Sequence, residues 1–424
     1  MSVPITGRMR LHYRSLFQLD QPAFWVFVAF LVYGAFRMST VLAQLSHISR
    51  SGWALSWLLL ALYALPVFVL IYRLDLYERE PLSLVLGAFA WGALAATALS
   101  LDAAGWNQVL ARAVGSDVAG RWGPATVVPV AEETLKGAGV VLIYLIARDE
   151  VDDAMDGFVY GALCGLGFAV VEDVLYFMAA FGGTTGGVLE GFYVRVLSSG
   201  LYGHVLYTGL TGLGIGYFVS RREHQPFARR LGVAIGCFVA AVLAHAFWNS
   251  PILQFGPSEP IQGAEWLLVP LALAAKGLPL LVLVLVAVKL ARGRERRWLD
   301  GALEHEVGLG GVSSQEFATL RDPARRRAAT GAMRARAGRR AAAVLQRLQR
   351  EQVNLAMLHT RTATPEDPAV VAQREYCRSL RDALLAIPGA ALAADDGSGP
   401  PSTERADVSA VGEDPAPTSP PDPG

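Results

Sequence analysis

The chain has 424 residues and a formal net charge of zero, and 53% of its residues are hydrophobic whereas only 17% are charged. Its three cysteines, Cys164, Cys237 and Cys377, lack paired spacing, which excludes a disulfide framework and a zinc ribbon. Apolar runs of 18 to 25 residues fill the chain up to about residue 290, and none follows. Each run is long enough for a helix to cross roughly 30 Å of hydrocarbon, so the sequence predicts a polytopic membrane protein with a soluble tail.

In chain order, the pattern predicts four regions: an N-terminal cytoplasmic segment at 1–22, a transmembrane domain at 23–290, a basic helical region at 291–386 and a disordered tail at 387–424. The transmembrane domain is expected to be an all-α bundle of eight spans, at about 23–42, 53–72, 81–101, 124–147, 157–181, 196–220, 231–250 and 266–290. No small-residue cleavage site follows closely behind the first apolar run, so we expect this span to be retained.

Arginines near the span ends predict the orientation. If the N-terminus is inside, fourteen arginines fall on inner segments, and the outer loops hold four, Arg50, Arg112, Arg121 and Arg195. Positive residues near span ends stay on the cytoplasmic side. We therefore expect both termini in the cytoplasm and a multi-pass protein of the plasma membrane.

Four predicted spans carry ionisable residues far from their ends: Glu132 and Glu133 in the fourth, Glu172 and Asp173 in the fifth, His204 in the sixth and His245 in the seventh. A charged residue at mid-membrane costs roughly 2.5 to 3.5 kcal/mol on insertion scales, so such residues usually serve a function. At 1.5 Å per residue, the glutamates and histidines lie between about 8 and 14 Å from the outer ends of their spans. Because successive spans run in opposite directions, this shared depth predicts one site in the outer half of the membrane.

Helical spacing adds neighbours to these residues. His245 and Asn249 are four residues apart, so they lie on one side of the seventh span. Three glycines recur at four-residue steps on the face of the fifth span that leads to Glu172, at Gly157, Gly161 and Gly165. Small residues in this pattern allow a neighbouring helix to approach closely.

Carboxylates and imidazoles at one depth can support hydrolysis in two ways. Zinc is the candidate cofactor in the first, with an open position for water and the ligands Glu133, Glu172, His204 and His245. In the second, a glutamate activates water without a metal, and the histidines and Asn249 stabilise the oxyanion. Glu132 and Glu133 lie about 100° apart around their helix, so they cannot point the same way. We expect Glu133 to contact the water or metal, and Glu132 to pair with Lys136 four residues later.

Four segments in order carry a resemblance to a known family: RLDLYEREPLSLVLGAFAWGAL from residue 73, EETLK from residue 132, MDGFVYGALCGLGFAVVEDVLYF from residue 155 and HAFWN from residue 245. Together they resemble the PrsW family of intramembrane proteases over residues 70–250, and EETLK fits its EExxxK pattern. That family is distantly similar to the CAAX prenyl proteases, which have arginine where this chain has Lys136.

The resemblance implies an intramembrane endopeptidase in which Glu132 and Glu133 are catalytic carboxylates. It implies that Glu172, His204 and His245 complete the site and that Asn249 donates a hydrogen bond to the oxyanion. The implied substrate is a membrane-embedded single-pass protein, such as an anti-sigma factor, cut on the extracytoplasmic side. That side agrees with the depth argued from the spans.

Three other functions fit parts of the sequence. Asp152, Asp153 and Asp156 have the DDxxD spacing that binds magnesium pyrophosphate in membrane prenyltransferases, but no second acidic motif occurs on the cytoplasmic side. Buried Glu and His also form proton relays in transporters, yet the two halves show no self-similarity. A catalytically silent scaffold is the third alternative, although every expected polar group is present.

The region after the last span is strongly basic. Ten arginines lie between Arg321 and Arg350 against a single acid, Asp322. A basic helix next to a membrane is expected to bind anionic lipids. Few aromatic residues are available to stack on bases, so we do not expect nucleic acid as a partner.

Overall fold

The computed structural model describes residues 15–74, 80–103, 105–151, 153–199, 203–221, 225–252, 263–361, 364 and 366–390. Every regular element among these residues is a helix. This result confirms the predicted all-α polytopic fold. The chain divides into two compact units between Ala302 and Leu303. The predicted domain limits at residues 290 and 386 stay predictions.

The elements up to the boundary are α1 (Pro22–Ser46), α2 (Arg50–Tyr72), α3 (Leu82–Ala90), a first π-helical segment (Trp91–Ala96), α4 (Thr97–Ala103), α5 (Trp106–Val114), α6 (Ser116–Ile146), a 3₁₀ turn (Arg148–Glu150), α7 (Ala154–Ala179), α8 (Thr185–Phe192), a second π-helical segment (Tyr193–Leu197), α9 (His204–Ser220), α10 (Phe227–Asn249) and most of α11 (Glu265–Leu309). The second unit contains the end of α11 with α12 (Ser314–Leu320), α13 (Pro323–Arg361) and α14 (Pro368–Leu385).

Six stretches of the described chain are long and apolar enough to cross a membrane: α1, α2, the run Leu82–Val114, α7, α10 and α11. Two more helices occupy predicted spans. α6 bears five charged residues, of which Glu132, Glu133 and Lys136 are buried, and α9 has only 17 residues. The total of eight spans therefore stays a prediction.

Two helix boundaries differ from the sequence-based expectation. α6 starts at Ser116 rather than near residue 124, and Pro124 and Pro129 lie inside it. α9 starts at His204 rather than near residue 196, because Gly203 has non-helical backbone angles. His204 therefore lies in the first turn of α9 and not in the middle of a span.

α7 is the most deeply buried helix of the first unit, and its glycines allow α9 to pack directly against it. A β-carbon at Gly157, Gly161 or Gly165 would lie 2.2 Å from a backbone oxygen of α9. The close approach expected from the glycine spacing is therefore present. It fixes His204 and the turn after it against the face of α7 that leads to Glu172.

The acidic loop before α7 has a structural role. The Asp153 side chain accepts a hydrogen bond from the Asp156 amide at 3.0 Å, and the Asp156 carboxylate accepts one from the Asp153 amide at 2.8 Å. This reciprocal pair is a capping box that begins α7. Capping accounts for the spacing of these two aspartates without magnesium, whereas Asp152 lies outside the described residues.

The second unit has its own apolar core, which includes Leu345 and Leu348 of α13 and Val370, Cys377 and Leu384 of α14. The helices expected after the last span are therefore present. The described part of the chain continues to Ala390, which is buried in this core. Of the tail predicted to be disordered, 387–424, residues 387–390 are described and reach this core, whereas 391–424 lie outside the described part.

Candidate active site

Lys136 is the centre of the polar cluster inside the first unit. Its ammonium lies 3.0 Å from Glu132 Oε2 and 2.9 Å from Glu133 Oε1, one turn earlier on α6. It also donates to His204 Nδ1 at 2.9 Å and lies 3.8 Å from the centre of the Phe168 ring. The two carboxylates and the ammonium are all buried. The cation balances part of the charge that burial of two adjacent carboxylates would leave uncompensated.

Glu133 is bound on both oxygens. Oε1 accepts from Lys136 and from His245 Nδ1 at 3.1 Å, and Oε2 accepts from Thr208 Oγ1 at 3.0 Å. The carboxylate is completely shielded from solvent, at 0% exposure. Glu132 is also buried but keeps 5% exposure, so it is the less shielded glutamate of the pair.

His245 presents one nitrogen to each glutamate. Because Nδ1 contacts the Glu133 carboxylate, we assign the proton to Nδ1. Nε2 then carries a lone pair and can accept a hydrogen bond. Nε2 lies 4.0 Å from Glu132 Oε2. The ring stacks on Tyr207 with a centroid separation of 4.7 Å and an interplanar angle of 9°, which fixes its orientation.

His204 links the cluster to α7. Nδ1 accepts from Lys136, so Nε2 carries the proton and donates to Glu172 Oε2 at 2.9 Å. Nδ1 also lies 3.9 Å from Glu132 Oε2. Both histidines therefore face Glu132 Oε2 across gaps that are too long for a direct hydrogen bond but suit a bridging water.

Glu172 belongs to a second layer of this cluster. Arg195, in the second π-helical segment, contacts Glu172 Oε2 and Asp173 Oδ1 at 2.6 Å each. Its guanidinium also lies 3.8 Å from the centre of the Tyr176 ring. Glu172 thus holds His204 in place, and the charge of the Glu172 carboxylate is balanced by Arg195.

The predicted ligand set of Glu133, Glu172, His204 and His245 differs from the one that the structure assembles. Ligand atoms of Glu132, Glu133, His204 and His245 all lie within 4.8 Å of one another, so Glu132 stands where Glu172 was expected. Asn249 lies apart from this set: its side chain donates to the Pro124 carbonyl at 3.0 Å.

Imidazole and carboxylate donors are those that zinc prefers, so the set fits a metal by kind. Its arrangement does not fit. The Lys136 ammonium lies within 3.0 Å of three of the four residues, where a divalent cation would share the same lone pairs against a like charge. Glu132, Glu133, His204 and His245 would hold a metal only after Lys136 had moved away.

Sequence reasoning missed Arg195 and Tyr207 as parts of the site. Arg195 was assigned to an outer loop, and it reaches Glu172 over 23 positions of the chain, a separation that no helical repeat indicates. Tyr207 lies three residues after His204, on the same face of α9, and the two rings lie 5.8 Å apart. The spacing could have selected Tyr207, but an aromatic residue in an apolar span more often packs in the core than takes part in a site.

Residues 80–289 match the family described as PrsW family intramembrane metalloprotease. Over 110 residues, the chain is 37% identical to Protease PrsW of Geobacillus kaustophilus (strain HTA426). The alignment covers 26% of this chain and 45% of that relative, so the chain matches less than half of the relative's length. No solved structure matches the chain. The matched family range contains every residue of the polar cluster.

Proposed function

Because the chain belongs to the PrsW family of intramembrane metalloproteases, we propose that it is an intramembrane endopeptidase that hydrolyses a peptide bond of a membrane-embedded protein. One observation carries the proposal: two glutamates and two histidines from three helices present their side chains to one another inside the helix bundle. Such a set is costly to bury and is suited to activating water.

The geometry favours Glu132 as the general base. Both Glu133 oxygens already accept hydrogen bonds, three in all. Among the described residues, Glu132 accepts one, from Lys136 to Oε2, and the same oxygen faces His204 Nδ1 and His245 Nε2 across about 4 Å. A water in this gap would donate to Glu132 and attack the substrate carbonyl as the carboxylate takes its proton. Glu133 then orients His245. The sequence suggested instead that Glu133, and not Glu132, contacts the water.

The proposed reaction uses no metal, because Lys136 occupies the cationic position among the donors. In this scheme the ammonium balances both carboxylates and keeps Nδ1 of His204 as an acceptor. Metal analysis of the purified protein tests this part. Stoichiometric zinc that is lost when His204 and His245 are replaced would show a metalloenzyme and contradict the scheme.

Asn249 remains the proposed oxyanion donor. Its side-chain amide is bound to the Pro124 carbonyl, so it must exchange this partner for the substrate oxygen. Hydrogen bonds in substrate-free active sites commonly rearrange when substrate binds. Asn249 lies one helical turn after His245, which keeps it near the reacting carbonyl.

We further propose a single-pass substrate of the anti-sigma-factor type, cut in the outer half of the plasma membrane by an enzyme with both termini in the cytoplasm. The support is the excess of arginine on the predicted inner segments and the place of His204 and His245 near one end of α9 and of α10, the end that this orientation puts outside. The substrate class follows from the family resemblance alone.

Separate Glu132→Gln and Glu133→Gln variants test the proposal against cleavage of a single-pass reporter. Loss of the general base is expected to lower the rate of the Glu132 variant roughly 10²- to 10⁴-fold. Glu304→Gln is the matched control, since Glu304 is exposed and lies in the second unit. Full cleavage by both site variants would refute the protease mechanism and favour a transporter or a silent scaffold.

A further inference from the structure

The second half of α13 carries an exposed surface made of arginines. We call Arg339, Arg340, Arg347 and Arg350 the arginine face; all four are exposed. At 100° per residue they fall within an arc of about 100° around the helix. The opposite side of the same helix is buried in the core of the second unit, through Ala341, Ala342, Leu345 and Leu348. The helix therefore turns a side whose four charged residues are all arginines away from its own core.

Three acids of this unit are engaged by side chains outside the arginine face. Glu306 pairs with Arg374 at 2.8 Å, and Glu316 pairs with Arg381 at 2.6 Å. Glu351 accepts from Gln373 at 3.0 Å. Within the described residues, none of the arginine face forms an ion pair, although Arg347 lies 5.6 Å from the centre of the Tyr376 ring. The face is consequently uncompensated by the chain up to residue 390.

The described chain ends beside α13. Gly389 adopts a left-handed conformation with φ of 77°, and Ala390 is buried next to Met333 and Ala337. A β-carbon at Gly389 would lie 3.6 Å from the Arg336 carbonyl oxygen, three residues before the arginine face begins. The described chain thus ends at the near end of this face, and 34 residues follow it in the sequence.

Those remaining residues have the opposite charge. Residues 391–424 contain seven acids and one arginine, Arg405, which gives a net charge of −6 from −7 and +1. The acids are Asp395, Asp396, Glu404, Asp407, Glu413, Asp414 and Asp422. The charges recur along the whole segment, so several can bind the face at once.

We propose that the acidic tail 391–424 binds the arginine face of α13 within the same chain. Asp395 and Asp396 follow Ala390 by five and six residues, a reach of at most about 20 Å. The arginine face extends over about 17 Å of helix from Arg339 to Arg350. The first acidic pair can therefore reach the near arginines, and Glu404 and Asp407 can reach the far ones. No folded element needs to move.

The attraction between the acidic tail and the arginine face is electrostatic, and both belong to the same chain. Each exposed ion pair is weak and is screened beyond about 8 Å at physiological salt, but the tether keeps the tail at a high effective concentration. The tail would then cover arginines that are otherwise expected to bind anionic lipid. A membrane and the tail cannot occupy the same guanidinium groups together.

The test uses the full-length protein in nanodiscs of neutral lipid, with Cys237 replaced by alanine and spin labels at Ala343→Cys and Ser398→Cys. Ala343 is exposed on the arginine face, and Ser398 follows the first acidic pair. Pulsed electron paramagnetic resonance should give a short, narrow distribution of distances between the two labels at low salt. The distribution should lengthen and broaden at about 0.5 M salt, where screening is within roughly 4 Å.

Two variants separate charge from tethering. Conversion of the seven tail acids to Asn or Gln should give the long distribution even at low salt, as should Gln at the four arginines. A control with Thr403, Ser409, Thr418 and Ser419 changed to alanine keeps the tail charge and should behave like the parent. Identical distributions in the parent and the neutralised tail would overturn the proposal. In matched nanodiscs that contain anionic lipid, contact of the Ala343 label with that lipid while the acidic tail is intact would also overturn it, and would identify lipid as the partner.

Discussion

Arg195 is the residue whose importance the structure changes most. It bridges Glu172 and Asp173 at 2.6 Å, and Glu172 in turn accepts a hydrogen bond from His204 Nε2. Arg195 therefore positions His204 without touching the reacting atoms. Replacement by Gln should lower the cleavage rate roughly 10- to 100-fold, because a small displacement of a catalytic group is costly. The measurement is the rate against pH, whose profile should change shape as His204 loses its fixed partner.

Arg195→Lys should restore part of that rate, since it keeps the charge without the bidentate geometry. Arg121→Gln is the matched control on another predicted outer segment, where Arg121 is exposed. A normal rate and pH profile in Arg195→Gln would show that this arginine only stabilises the fold.

Two threonines of α9 allow the hydrogen bond to Glu133 to be tested. Thr208 Oγ1 donates to Glu133 Oε2 at 3.0 Å, whereas buried Thr211 Oγ1, three residues later, has no partner among the described residues. Thr208→Val should leave a buried carboxylate oxygen unsatisfied, at a cost of about 1 to 3 kcal/mol, and should lower the rate. Thr211→Val should be neutral or stabilising for the same reason. Thermal unfolding and reporter cleavage check both, and equal effects of the two changes would contradict the assigned role of Thr208.

At the scale of elements, the contact between α7 and α9 positions the active site. A β-carbon at Gly161 would lie 2.2 Å from the Thr208 carbonyl oxygen, so Gly161→Ala must push α9 away from α7. The displacement moves His204 and Thr208 together. We expect cleavage to fall by at least about 10²-fold, since misplacement of about 1 Å can cost that much.

Gly232→Ala is the control for this change. Gly232 lies in α10, and nothing lies within 4 Å of its added β-carbon. Alanine there should stabilise the helix by up to about 1 kcal/mol without loss of cleavage. Reporter assays and thermal unfolding of the two variants give the comparison. Normal activity of Gly161→Ala would mean that the spacing of α7 and α9 does not control the site.

The sequence predicted the elements that carry the site better than the details of the site itself. Hydropathy and the glycine spacing identified α7 and its close neighbour, because both depend on repeats along one helix. The start of α9 at His204 was not predictable from hydropathy, since the run that predicts this span already begins at Val196. Likewise, helical periodicity shows that Glu132 and Glu133 diverge but cannot say which one meets Thr208 and His245.

At the scale of the molecule, the second unit is a folded helical unit with its own core. Composition predicted its helices and its basic character. It did not predict that acids such as Glu306 and Glu316 would be buried against arginines of α14, because these partners are 65 or more residues apart. The arginine-rich stretch is thus part of a folded unit, in which arginines of α14 hold the buried acids and those of the arginine face stay exposed.

This unit should lose stability in acid because of Glu316. Burial raises the pKa of this carboxyl, but hydrogen bonds from Arg381, the Ser313 amide and Gln352 outweigh burial, so its pKa lies below the ordinary value. The folded state then binds its proton less readily than the unfolded chain, whose pKa is about 4.3. The stabilisation is complete above that value and is lost as the pH falls through the lower folded-state pKa.

Circular dichroism melts of the full chain at several pH values should show an acid-sensitive transition. Glu316→Gln should lower the melting temperature at neutral pH and flatten its pH dependence, whereas exposed Glu304→Gln should change neither; an unchanged acid response in Glu316→Gln would assign the sensitivity to another group.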